Sequence, residues 1–166
     1  MKNKRKYILD ENCLMHAANF EDWQGNESTT ALRMITVIED NCHGILVSNE
    51  LKEKYLKNTI PKITKNRYPA ANAVTVLIRN IMPAKNKFNY WNYKIYPLPV
   101  SEDEIPPEDL YLVRLAHCSK ETLVTWDLDL IKALNPDENG LSEKYNIRVL
   151  NPEQVIAELT KPDDNS

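Results

Sequence analysis

Five acidic residues stand where short apolar runs give out. Asp10 follows KYIL, and Glu50 lies two residues past GILVS. Asp127 follows LVTW with Asp129 two positions on, and Asp109 sits in the segment that leads into LVTW. A carboxylate at the end of a buried strand costs desolvation unless it is solvated, paired or facing a metal. If the strands run parallel, their carboxyl ends share one edge, and acids from separate parts of the chain can meet in one cleft. Such a cluster repels itself without a cation. Its natural partner is a hard divalent ion with oxygen ligands, Mg²⁺ or Mn²⁺. One or two such ions can activate water and stabilise the leaving oxygen of a phosphodiester. No histidine, cysteine or serine nucleophile is required, and His16, His43 and His117 show no ligand spacing. Each acid also has a plain alternative. Glu50 and Asp109 can be helix-dipole charges, and Asp127 or Asp129 can be helix caps.

The elements that would position these acids alternate between strand and helix. KYILD (6–10), GILVS (44–48), LVTW (123–126) and IRVL (147–150) read as strands, with another over 93–96. Helices are expected over 12–20, 31–40, 49–60 with Pro61 as its stop, 69–82, about 107–118, the start of DLDLIKAL, and 152–159. In the second of these, Leu32, Ile35, Thr36 and Ile38 form the stripe expected to face the core. The alternation predicts an α/β fold with a central, mostly parallel β-sheet flanked by helices on both faces. Ligands of such sheets gather at the carboxyl ends of the strands.

The chain has 166 residues and is 42% hydrophobic, which predicts one globular domain over 1–160 and a frayed tail over 161–166. No apolar run is long enough for a transmembrane helix, and the basic start MKNKRKYILDEN lacks the apolar stretch of a signal peptide. Cys13, Cys42 and Cys118 are far apart and odd in number. They read as small core residues in a reducing cytoplasm. Charge is segregated along the chain. Residues 51–94 carry ten basic groups against Glu53 alone, whereas 95–166 carry fifteen acidic groups against six basic. That asymmetry suggests two functional surfaces, one able to meet an anionic partner.

The motifs together resemble the PIN-domain ribonuclease family. ILDENCL resembles its opening strand with Asp-x-Asn, and VSNEL resembles its second motif, a glutamate at the start of a helix. PEDLYLVRLAHCSKETLVTWDLDL resembles the third and fourth, an Asp opening a helix, then an apolar strand, Thr-x-Asp and a further acid. The resemblance spans nearly the whole chain in the family's order. It implies a PIN-like fold and a Mg²⁺- or Mn²⁺-dependent endoribonuclease. Asp10, Glu50, Asp109 and Asp127 would be its catalytic acids. Asp10, Asp109 and Asp127 would hold metal with Asp129 as accessory, and Asn12 and Thr125 would support the site by hydrogen bonds. Relatives of the VapC-like toxin type cleave RNA, dimerise and are neutralised by an antitoxin. An RNA substrate, a cognate antitoxin and a homodimer are therefore the implied partners. The chain departs from the pattern at Glu11, where a small hydroxyl residue is usual, and at bulky Leu110 and Tyr111. Glu108 competes with Asp109 for its place.

The excess length over such relatives lies around 62–98 and coincides with the basic segment. Lys62, Lys65, Arg67, Lys85 and Lys87 are interleaved there with Tyr90, Trp91 and other aromatics. Cations neutralise phosphates and rings stack on unpaired bases, so this insert is a candidate single-strand RNA groove. Its bland alternative is aromatics packed on the core beneath solvated lysines. For the chain as a whole, the alternative to an enzyme is a PIN-like module that binds RNA or protein without cutting. WDLDL also resembles the Asp-x-Asp of metal-using phosphatases and glycosyltransferases, although ILDEN does not match the phosphatase pattern.

Overall fold

The structure is a computed structural model that describes residues 4–65 and 88–161, with the backbone alone for 63–65. Its elements in order are β1 (Lys6–Leu9), α1 (Glu11–Asn19), α2 (Thr30–Asp40), β2 (Gly44–Val47) and α3 (Asn49–Lys54). A π-helical turn (Tyr55–Thr59) and α4 (Ile60–Lys65) follow, then β3 (Phe88–Tyr90), α5 (Leu110–Ser119), β4 (Thr122–Val124) and α6 (Leu128–Leu134). β5 (Leu141–Ser142), β6 (Ile147–Leu150) and α7 (Pro152–Thr160) end the fold.

The six strands form one sheet in the order β3-β2-β1-β4-β6-β5. Every pairing is parallel except β5 with β6. The expected α/β class with a mostly parallel sheet is what the chain adopts. From β1 the strands step outward through β2 to β3. The chain then returns to the other side of β1 with β4, so the order reverses between β1 and β4. Among the helices, α2 packs on α1 and α7, and α5 packs on α3, β4 and β6. Ile8, Leu9, Val47, Leu123 and Val124 are fully buried in the centre, as a parallel sheet covered by helices demands. Leu51 of α3, Leu112 and Leu115 of α5 and Val155 of α7 cover it.

Local chemistry explains the boundaries. Ser48 caps α3 by accepting from the Leu51 N–H at 3.2 Å, and Asn151 and Gln154 form a reciprocal cap on α7. Gly140, at φ +81°, lies so close to β6 that a Cβ would run into the Val149 carbonyl.

Several boundaries differ from the sequence reading. The helix from Asn49 does not stop at Pro61. A π turn, closed by the Ile60 N–H on the Tyr55 carbonyl, precedes the proline and the chain continues helical to Lys65. The looser turn lies where proline would otherwise clash with the preceding turn. The strand expected over 93–96 lies instead at Phe88–Tyr90. Phe88 is buried against β2, whereas Tyr93 and Tyr96 are exposed. α5 starts at Leu110 because Pro106 closes a tight turn by accepting from the Asp109 N–H at 2.9 Å. In α2 the buried face is Ala31, Met34, Ile35 and Ile38, with Thr36 exposed. Cys13 is buried as expected, but Cys42 is exposed. The helix expected over 69–82 and the tail from 162 lie outside the described residues.

Candidate active site

The reversal of strand order between β1 and β4 opens the crevice in which ligands of such sheets bind. Two acids stand at that point. The Asp10 N–H bonds the Val124 carbonyl at 3.0 Å, which carries β1 pairing one residue past its end. The Thr125 N–H bonds Leu150 of β6 at 3.0 Å and does the same for β4. The Thr125 hydroxyl then joins the acids. It donates to Asp10 Oδ2 at 2.8 Å and accepts from the Asp127 N–H at 2.9 Å. Asp10 Oδ1 accepts from the Asn12 backbone N–H at 3.3 Å, and the Asn12 side chain is exposed. Asp127 Oδ1 caps α6, accepting from the N–H groups of Asp129 and Leu130 at 2.9 and 3.0 Å. Asp129 itself points its carboxylate to solvent.

Asp109 comes from the turn that leads into α5. It precedes α5 without capping it, so its carboxylate is not committed to the helix. Burial, then Asp10, Asp127 and Glu108, push its pKa up to about 7, and Lys54 acts in the other direction. Asp10 is also raised, by burial first and by Asp127 and Glu11 after it, against the lowering bonds from Thr125 and Asn12. Asp10, Asp109 and Asp127 therefore sense one another's charge. Glu50, in the first turn of α3, is exposed and acts electrostatically on Tyr111 and Arg114. Glu108 is exposed beside Asp109.

Three groups that the sequence did not single out as site residues surround these acids. Tyr111 is raised well above its ordinary range, by burial first and then by Asp10, Glu11, Asp109 and Glu50. Tyr55 is buried and donates its hydroxyl hydrogen to the Leu9 carbonyl. Lys54 donates to the Glu108 carbonyl at 3.1 Å and lies 3.9 Å from the centre of the Tyr111 ring. The bulk of Tyr111 was the one visible hint.

The donor set is all oxygen and repels itself, which suits a hard divalent cation. Among the described residues, no group of three or more His, Cys, Asp or Glu side chains is gathered tightly enough to chelate an ion. The chemistry of the donors, all carboxylate oxygen, is of the kind that Mg²⁺ or Mn²⁺ takes.

The candidate RNA groove lies at the β3 edge. Phe88 is in the core and Trp91 packs against it half-buried, while Tyr90, Tyr93 and Tyr96 are exposed. Lys52 stands 5.0 Å from the Tyr90 ring and Lys94 5.3 Å from that of Tyr96. Lys62 is exposed on α4. The side chain of Lys65, and Arg67, Lys85 and Lys87 altogether, lie outside the described residues. No helix among the described residues is long and apolar enough to cross a membrane.

No protein-family model and no curated protein matches the chain. Among solved structures there is a likeness in fold. The chain is similar to a PilT N-terminus domain protein from the hyperthermophilic archaeon Sulfolobus solfataricus. Identity is 8%, coverage is 97% of this chain and 98% of that one, and the TM-score is 0.45.

Proposed function

We propose that the chain is a divalent-metal-dependent endoribonuclease of PIN type that hydrolyses RNA phosphodiester bonds. The observation that carries this reading is that Thr125 bridges Asp10 and Asp127 at the reversal of the sheet, while their charge also raises Asp109. The three acids come from three separate parts of the chain and act on one another's charge. In this reading Asp10, Asp109 and Asp127 hold Mg²⁺ or Mn²⁺, with Glu50 and Asp129 at the rim. When bound, the ion would lower the pKa of an attacking water and offset charge on the departing oxygen. Thr125 keeps Asp10 oriented through its 2.8 Å bond. Asp109, with its pKa held up to about 7, would have to lose its remaining proton to serve as a ligand. Tyr90 and Tyr93 stack on unpaired bases, with the lysines beside them meeting phosphates. The resemblance to VapC-like toxins extends the proposal to a cytoplasmic homodimer neutralised by an antitoxin.

The test is cleavage of labelled single-stranded RNA with Mg²⁺, Mn²⁺ or EDTA, alongside Asp127→Asn. Metal-dependent cutting that disappears in the variant is expected. EDTA-insensitive cutting by both proteins would sink the reading. The second reading is an RNA- or protein-binding module without catalysis. It is favoured by the open spacing of the carboxylates among the described residues. RNA binding without saturable Mn²⁺ binding would establish it.

A further inference from the structure

Lys54 and Tyr55 are adjacent in the chain and stand where α3 passes into the π turn. Successive helical residues point about 100° apart, so a neighbouring pair can reach two different parts of the fold. This pair does so with a common target type. The Tyr55 hydroxyl donates to the carbonyl of Leu9, the residue before Asp10. The Lys54 ammonium donates at 3.1 Å to the carbonyl of Glu108, the residue before Asp109.

Each carbonyl lies in one rigid peptide plane with the N–H and Cα of the acid that follows it. Holding the Leu9 oxygen therefore fixes the Cα of Asp10, and holding the Glu108 oxygen fixes the Cα of Asp109. We infer that Lys54 and Tyr55 are positioning residues that set the separation of Asp10 and Asp109. A single dipeptide ties β1 on one side and the α5 turn on the other to one helix.

Three observations support this. Tyr55 is completely enclosed, so its ring has no freedom to release the Leu9 oxygen. Lys54 is held in place by the face of Tyr111, at 3.9 Å from the ring centre. The π turn begins at Tyr55, and such turns recur where function requires a helix to depart from its regular repeat. Leu51 before the turn and Thr59 at its end both stay buried, so the helix keeps its seat while the pair reaches both ways.

The inference rests on the cation-site reading above, and Mn²⁺ affinity of the metal-free protein separates the two. Titrations followed by electron paramagnetic resonance would compare the wild type with Tyr55→Phe, Lys54→Met and Lys54→Arg, with thermal melting in parallel. Partners that orient ligands govern metal affinity by about 10- to 100-fold, so Tyr55→Phe and Lys54→Met are each expected to weaken Mn²⁺ binding about 10-fold. Lys54→Arg should restore most of it. The direction for Lys54→Met discriminates. Removing a positive charge beside an acidic site would by itself tighten cation binding, so weaker binding reports lost position. Unchanged affinity in both variants, or tighter binding in Lys54→Met, overturns the inference. If Tyr55→Phe fails to fold, half-buried Lys54 carries the test alone. A wild type without saturable Mn²⁺ binding overturns the cation-site reading and this inference with it.

Discussion

The β1/β4 edge and the β3 edge of one sheet hold their polar groups in opposite ways. At β1/β4 the carboxylates of Asp10 and Asp127 and the Thr125 hydroxyl are bonded to the framework. Asp10 accepts from Thr125 and Asn12, Thr125 accepts from Asp127, and Asp127 caps α6. At β3 the rings of Tyr90, Tyr93 and Tyr96 are exposed, with lysines over Tyr90 and Tyr96 and Trp91 against Tyr93. On the proposed function, the difference would separate chemistry from capture. Charge stabilisation at a reacting centre needs groups that do not move, whereas a sequence-tolerant grip on a flexible strand needs rings that can adjust.

The comparison breaks most sharply at the rigid edge. Asp127→Asn keeps the α6 cap but removes a carboxylate. Cation stabilisation of a reaction is worth several kcal/mol, so RNA cleavage should fall by about 10³-fold while melting is little changed. Gel assays of labelled RNA with circular dichroism melting check both halves. Thr125→Val comes next. It leaves the buried Asp10 carboxylate one donor short, a loss of about 1–3 kcal/mol readable by urea unfolding. A stability unchanged from wild type would mean that Asp10 relaxes toward solvent and that the edge is not rigid.

The acids also set a pH dependence. Asp109 rises from 3.8 to about 7 on folding, so the folded state binds its proton more tightly than the unfolded state does. In EDTA the protein should therefore lose stability as pH rises from about 4 to 7, and level off above that. Asp10 is raised as well and acts in the same sense. The lowered carboxyls of Glu102 and Glu158 act oppositely, at pH values below 4.5. Melting temperatures across pH 4.5–8 should slope downward in wild type and less steeply in Asp109→Asn, where Asp10 and Glu121 still act. An equal slope in both proteins would assign the dependence to other groups.

What the sequence made legible follows from the range of each interaction. β1, β2, β6, the start of α3, α6 and α7 are each decided by neighbours in the chain, through apolar runs, Ser48 and Asp127 as caps, and Pro152 at a helix start. The acids could be picked out as candidates because a parallel sheet sends every strand's carboxyl end to one edge. Lys54 and Tyr55 were not, because their partners lie 54 and 46 positions away and no local pattern encodes such a contact. The exchange of 93–96 for Phe88–Tyr90 as β3 has the same origin. Both stretches favour strand, and only docking beside β2 chooses between them. Two-residue β5 is defined by its pairing with β6 alone.

The smallest expected effect lies at the flexible edge and is the more demanding test of its role. Tyr93 is 74% exposed and meets Trp91 edge to face at 5.0 Å. Its removal creates no cavity, so Tyr93→Ala should leave stability within about 0.5 kcal/mol of wild type. Stacking on a base is worth about 1–3 kcal/mol, and an exposed ring that finds its base only on binding belongs near the lower end. Affinity for single-stranded RNA should thus fall by about fivefold, with the salt dependence unaltered because no phosphate contact is lost. Fluorescence anisotropy at two salt concentrations reads both quantities. A change in the salt slope would place Tyr93 among the groups that organise the lysines, and an unchanged affinity would remove it from the RNA path and leave the β3 edge as an exposed aromatic surface without that role.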